Sequence, residues 1–219
     1  MPHNWALPRH DGRAGPTRAG AVAVTGVELP LFPLAAVLFP GGTLDLRIFE
    51  PRYLDLVRDC ARQDRAFGVC LILAGTEAGA GAVPAAIGTL ARIVDFHTLP
   101  DGLLGIRVRG GGRFRIGATR VRDNGLVLGD ARLWPDEPTL PVPPEYGLLA
   151  TLLERLLERI GGEMARVARR CYDDASWVGF RLAEQLPFTP GEQQQLLQLT
   201  DPLERLAWLT RELPRFQDG

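Results

Sequence analysis

"ELPLFPLAAVLFPGGTLDLRIFEPRYLDLV", residues 28–57, decides how the rest of the chain is read. It is apolar enough to suggest a membrane span. Only sixteen uncharged residues separate Glu28 from Asp45, however, and Pro30, Pro33 and Pro40 lie among them. A spanning helix needs about 20 apolar residues, so the stretch reads as the core of a folded domain. Leu44, Leu46 and Ile48 alternate with Asp45 and Arg47, the period of two that marks a half-buried strand. Pro51 suits the first position of a helix, and Tyr53, Leu54, Val57 and Ala61 recur at helical spacing.

Moving outward, the strand signal continues to residue 135. "FGVCLIL" (67–73) is a continuous apolar run of the kind buried on both faces. "IGTLARIVDFHTL" (87–99) leads through Pro100-Asp101-Gly102, a hairpin signal, into "LLGIRVR" (103–109). "RFRIGATRVRDN" (113–124) turns at Asn124-Gly125 into "LVLGDARLW" (126–134). Gly75 to Pro84 reads as a loop of small residues. "PDEPTLPVPPE" (135–145) holds five prolines, which can neither pair into a sheet nor continue a helix, and it marks a boundary.

Beyond it the period changes. Leu149, Leu152, Leu153, Leu156 and Ile160 form a helical stripe that Gly161-Gly162 ends. A second helix spans about 174–186. Thr189-Pro190-Gly191-Glu192 is a capping box with proline at the first helical position, and Asp201-Pro202-Leu203-Glu204 repeats it. The expected organisation is a disordered tail at 1–26 with no periodicity, a β domain at 28–135, a Pro-rich linker at 136–144 and a helical subdomain at 145–215.

Composition excludes several chemistries. All 25 basic residues are arginine, and Ser176 is the single serine. A phosphate-binding Gly-Lys-Ser/Thr loop, a Schiff-base lysine and a Ser-Lys dyad are therefore impossible, and Ser176 lies outside any GxSxG elbow. Cys60, Cys70 and Cys171 are odd in number and scattered, as reduced buried thiols are. With His97 they lack the paired spacing of a zinc site. The net charge of −1 gives no global pull toward nucleic acid or lipid. No signal peptide is legible at the N-terminus, and a cytoplasmic protein without cofactor or metal is expected.

The opening stretch resembles the start of the N-terminal domain of Lon-type ATP-dependent proteases. "IGTLARIVDFHTLPDGLLGIRVRGGGRFRI" and "RLAEQLPFTPGEQQQLLQLTDPLERLAWL" are similar to that domain's central hairpin and closing helices. The resemblance covers roughly residues 28–212 and includes no ATPase or protease domain, so it points to a stand-alone Lon substrate-binding-domain protein. It implies an α+β fold: a twisted antiparallel PUA-like β pseudobarrel with one inserted helix, then a bundle of about four helices. Leu29 to Leu34 would be the first strand, with Pro30 and Pro33 forcing an edge or irregular position. Phe39-Pro40-Gly41-Gly42 would turn the chain back into "LDLRIF", and Glu50-Pro51-Arg52-Tyr53 would start the helix that plugs the barrel's open end. The implied function is recognition of substrate polypeptide, without catalysis.

The candidate binding residues are Arg107, Arg109, Arg113 and Arg115. Each pair is two apart and shares a face of the hairpin strands, as do Arg120 and Arg122. They read either as a basic stripe for RNA, as PUA-like folds provide, or as the wet face of an antiparallel sheet. The second reading is the plainer one. The favoured partners are unfolded or exposed polypeptide segments and a separate protease or chaperone, with RNA the alternative. Glu50, Arg52 and Tyr53 read as a local ion pair with a packed ring, His97 as a strand-end residue, and Asp173-Asp174 as a helix cap. "RGGGRF" reads as a bulge or tight connection that needs positive φ.

Overall fold

The computed structural model describes residues 26–76, 82–162 and 164–216. The expected tail lies, but for Gly26, outside the described residues, as does the middle of the Gly75 to Pro84 loop.

Strand β1 (Val27–Leu34) pairs in its first half with β7 (Val127–Leu133), antiparallel, and in its second half with β3 (Phe67–Ala74), parallel. Strand β3 pairs with β5 (Ile87–Thr98), β5 with β6 (Leu104–Val121), and β6 with β7. The circuit β1-β7-β6-β5-β3 therefore closes on itself through the parallel pair. Strand β2 (Thr43–Ile48) adds to the first half of β6, and the short β4 (Val83–Pro84) adds to the end of β3. Of the edge or irregular position expected for β1, the irregular one is found. It has a neighbour on each side, but each for only half its length, which leaves an open flank for a proline nitrogen that cannot donate.

"RGGGRF" is neither a turn nor a break, because the two expected strands are one strand of 18 residues. A bulge sits where Gly110 faces Ala91 and Arg113 faces Thr89, and none of the three glycines has positive φ. Close approach explains them better. The Gly110 N–H donates to the Gly42 carbonyl and the Gly41 N–H donates to the Gly110 carbonyl, each at 2.8 Å. A Cβ on Gly110 would overlap the Phe39 carbonyl oxygen.

Helix α1 (Pro51–Gln63) plugs the barrel, and its Tyr53, Leu56, Val57 and Cys60 join Phe32, Phe67, Ile106 and Val108 in the first core. The Tyr53 ring stacks on Phe32 at 4.0 Å between centroids. Two residues of the expected α1 stripe are displaced: Leu54 and Ala61 are exposed, and Leu56 and Cys60 take their place.

The helical layer consists of α2 (Gly147–Ile160), α3 (Ala175–Gln185), α4 (Pro190–Gln198) and α5 (Pro202–Glu212). Leu149, Leu153, Leu157, Val178, Leu182, Leu196, Leu206 and Leu209 form its core, joined by Phe39 from the loop after β1. On α2 the expected Ile160 is exposed and Leu157 is buried instead. Thr189 and Glu192 form the expected capping box of α4, while Asp201 caps α5 by accepting from the Leu203 N–H. The Pro-rich segment does make a bridge, contrary to expectation: Val142 N–H donates to the Asp173 carbonyl and Ala175 N–H to the Leu140 carbonyl, both at 2.9 Å. The residues flanking Pro141 supply these groups, so its missing N–H is not needed.

Candidate functional site

The arginines singled out from the sequence have four different surroundings. Arg107 is exposed and grips Asp45 through both Nε and Nη2, at 2.8 and 3.0 Å. Those hydrogen bonds hold the Asp45 carboxyl below its usual range. Arg109 is exposed and carries no ion pair among the described residues. Arg115 is exposed on β6. Arg113 is buried, and this corrects the reading of a continuous exposed stripe. It donates to the Leu197 and Leu199 carbonyls at 2.8 and 2.5 Å and to Glu137 at 2.6 Å. Its guanidinium lies over the Trp134 and Phe180 rings. Burial lowers its pKa, which the Glu137 charge opposes. Alternation along a strand separates the two faces of a sheet but does not say how far helices extend over one of them, and Arg115, on the same face as Arg113, stays exposed. Arg120 pairs with Glu28, and Arg122 is exposed.

The remaining polar candidates are structural in their contacts. Arg52 pairs with Glu50 at 2.9 Å, lies over the Tyr53 ring and donates to the Gly125 carbonyl, tying the start of α1 to the β6–β7 turn. Asp174 caps α3 by accepting from the Trp177 N–H. His97 lies against Gly105, its cross-strand neighbour. All three cysteines are free, and burial pushes the Cys70 thiol up to about 12. Among the described residues no three His, Cys, Asp or Glu side chains converge as metal ligands would. Ser176 donates to Glu137 at 2.5 Å, inside the Arg113–Glu137–Arg205 cluster.

Two concave features flank β2. Its outer edge has no strand partner among the described residues. Beside that edge lies a trough of about 340 Å³, lined mostly by the apolar Phe32, Leu34, Leu44, Leu46, Phe49 and Tyr53, with Asp45, Arg47 and Glu50 also in its lining. Consecutive residues from Leu44 to Arg47 all line it, so it follows the strand edge and not one face alone. Phe49 is half-exposed at its mouth. The second feature, about 690 Å³, opens between β2–β6 and the helices. Thr43, Arg107 and Arg109 form one wall, and Ile160, Met164 and Trp177 the other. An unpaired edge presents main-chain donors and acceptors, and the apolar trough presents side-chain pockets. Phe49 and Trp177 carried no sequence signal for this, since the surfaces form only when β2, α2 and α3 are assembled.

Comparison with known proteins fits this architecture. The family described as ATP-dependent protease La (LON) substrate-binding domain matches residues 28–215, and the match includes neither a protease nor an ATPase domain. The crystal structure of a Lon N-terminal domain protein from Xanthomonas campestris is 49% identical, covers 84% of this chain and 98% of its own, and superposes with a TM-score of 0.71. The N-terminal domain of a Mycobacterium avium complex Lon protease shares the fold at TM-score 0.61 and 18% identity, over 84% of this chain and 96% of its own. The Lon protease of Cytophaga hutchinsonii is 25% identical over 83% of this chain, which spans only 23% of that protein's length. No helix among the described residues is long and apolar enough to cross a membrane. The chain belongs to the Lon substrate-binding domain family.

Proposed function

We propose that this chain is a non-catalytic polypeptide-binding module that takes exposed or unfolded segments and presents them to a separate protease or chaperone. The observation that carries this reading is the unpaired edge of β2 running beside an apolar trough. An extended segment laid there would complete a ladder and place alternate side chains among Phe32, Leu34 and Phe49. Three free cysteines suit a reducing, cytoplasmic setting. The RNA alternative loses support where its arginines are neutralised: Arg107 by Asp45, Arg120 by Glu28 and Arg113 by Glu137. The test is fluorescence anisotropy with a labelled, permanently unfolded protein, for wild type and Phe49→Asp. Phe49 is exposed, so the variant keeps its fold, and a charge in the trough should weaken binding about tenfold or more. Equal binding by both proteins, or a salt-sensitive preference for RNA, would remove the reading.

A further inference from the structure

The cleft between β2–β6 and the helices has a different chemistry from the trough. Arg107, Arg109 and Arg181 all line it, and Glu184 is the one carboxylate among its described lining residues. Arg107 is engaged by Asp45, and Arg181 by Glu184 at 2.7 Å and by the Pro40 carbonyl at 2.8 Å. Arg181 is buried, and its Nε has no hydrogen-bond partner. Burial lowers the Arg181 pKa; Glu184 opposes that shift and the nearby Arg109 charge adds to it. Among the described residues, Arg109 therefore leaves one guanidinium charge uncompensated at the cleft, next to another cation. On α2, Glu154 is engaged by Arg169 at 3.0 Å.

The cleft also continues the trough. Gly41, in the turn before β2, and Thr43, its first residue, line the cleft, while Leu44 to Arg47 line the trough. A guest strand pairing antiparallel to β2 runs opposite to Thr43–Ile48, so its C-terminal end leaves the edge at Thr43. Antiparallel pairing is the stronger and commoner ladder, and β2 already pairs that way with β6.

We propose that the cleft is an acidic subsite: it takes an Asp or Glu side chain, or a terminal carboxylate, lying C-terminal to the apolar segment held at the β2 edge, with Arg109 as its ion-pair partner. This rests on the polypeptide-binding reading above and adds a polarity to it. A bound segment is apolar first and acidic after, in chain direction, with Trp177 and Met164 packing against the stem of the acidic residue.

Three labelled peptides with one apolar core test this by anisotropy. One carries glutamates after the core, one carries them before it, and one carries glutamines after it; all have amidated C-termini. The first should bind about fivefold tighter than the third, the strength of a good exposed ion pair, and the second should gain little. Raised salt should erase the difference. Arg109→Gln, at an exposed position, should bind all three as wild type binds the glutamine peptide. Equal binding of the three, or an unchanged preference in Arg109→Gln, overturns the acidic subsite and leaves the polypeptide-binding reading standing. A preference for glutamates placed before the core overturns the proposed direction. Failure of the glutamine peptide to bind at all removes the reading beneath it.

Discussion

Arg113 and Arg205 share the carboxylate of Glu137, and all three side chains are nearly inaccessible to water. Arg205 lies fully buried over the Phe180 ring, 3.8 Å from its centroid, and donates to the Leu196 and Leu199 carbonyls as well. Two buried cations on one anion are tolerable only because main-chain carbonyls and aromatic faces take up the remaining charge. Glu137→Gln keeps the volume but removes the counter-charge from both guanidinia. It should cost about 3–5 kcal/mol in urea unfolding; a loss under about 1 kcal/mol would show that the carbonyls and rings suffice. None of this cluster was legible from the sequence. Glu137 sits in a Pro-rich stretch, Arg113 in a strand and Arg205 in a helix, and no periodicity links three residues so far apart. Arg107 was better placed by the sequence: alternation put it on the exposed face, where it is found.

At the scale of elements, punctuation and period carried most of the information. The capping box at Thr189, the hairpin at Pro100-Asp101-Gly102 and the turn at Asn124-Gly125 depend on local backbone chemistry, and each is where it was expected. The face of α1 was not settled, because Tyr53, Leu54, Leu56, Val57, Cys60 and Ala61 cover much of the circumference. Only the position of the barrel mouth selects among them. The α4 cap also has a pH signature. Hydrogen bonds from Arg215, then from the Thr189 backbone and hydroxyl, lower the Glu192 pKa to about 2. A carboxylate depressed in the folded state adds stability that is fully present above its unfolded pKa, near the ordinary 4.5, and is lost as pH falls toward about 2. Glu192→Gln should therefore flatten the fall in melting temperature between those two pH values. Thr189→Ala should cost about 1 kcal/mol at neutral pH. Parallel acid profiles for wild type and Glu192→Gln would show that the carboxylate is not held in solution as it is here.

For the molecule as a whole, the question is whether the Pro-rich segment at 136–144 separates two folding units. The change of period across it suggested so, but sequence patterns report what each layer buries and not what lies between layers. Phe39, on a barrel loop, is fully buried in the helical core and tilted against Phe180. Gln194 on α4 donates to the Ile87 carbonyl on β5 at 2.9 Å, and Arg181 on α3 donates to the Pro40 carbonyl. Glu137, inside the segment itself, binds one arginine from each layer. These contacts are buried and polar, so parting the layers would leave charges and main-chain groups unpaired at several kcal/mol each. We therefore propose one cooperative unit. Fluorescence of a Trp5→Phe/Trp134→Phe variant, whose remaining Trp177 and Trp208 lie on α3 and α5, and hydrogen exchange of the β-strand amides, which reports the barrel, should give coincident urea transitions. A fragment ending at residue 135 should lack a cooperative transition, since it exposes Phe39 and strands Arg113 without its counter-ion. Two separated transitions in the full chain, or a fragment that melts as sharply as its parent, would instead make the Pro-rich segment a true boundary between folding units.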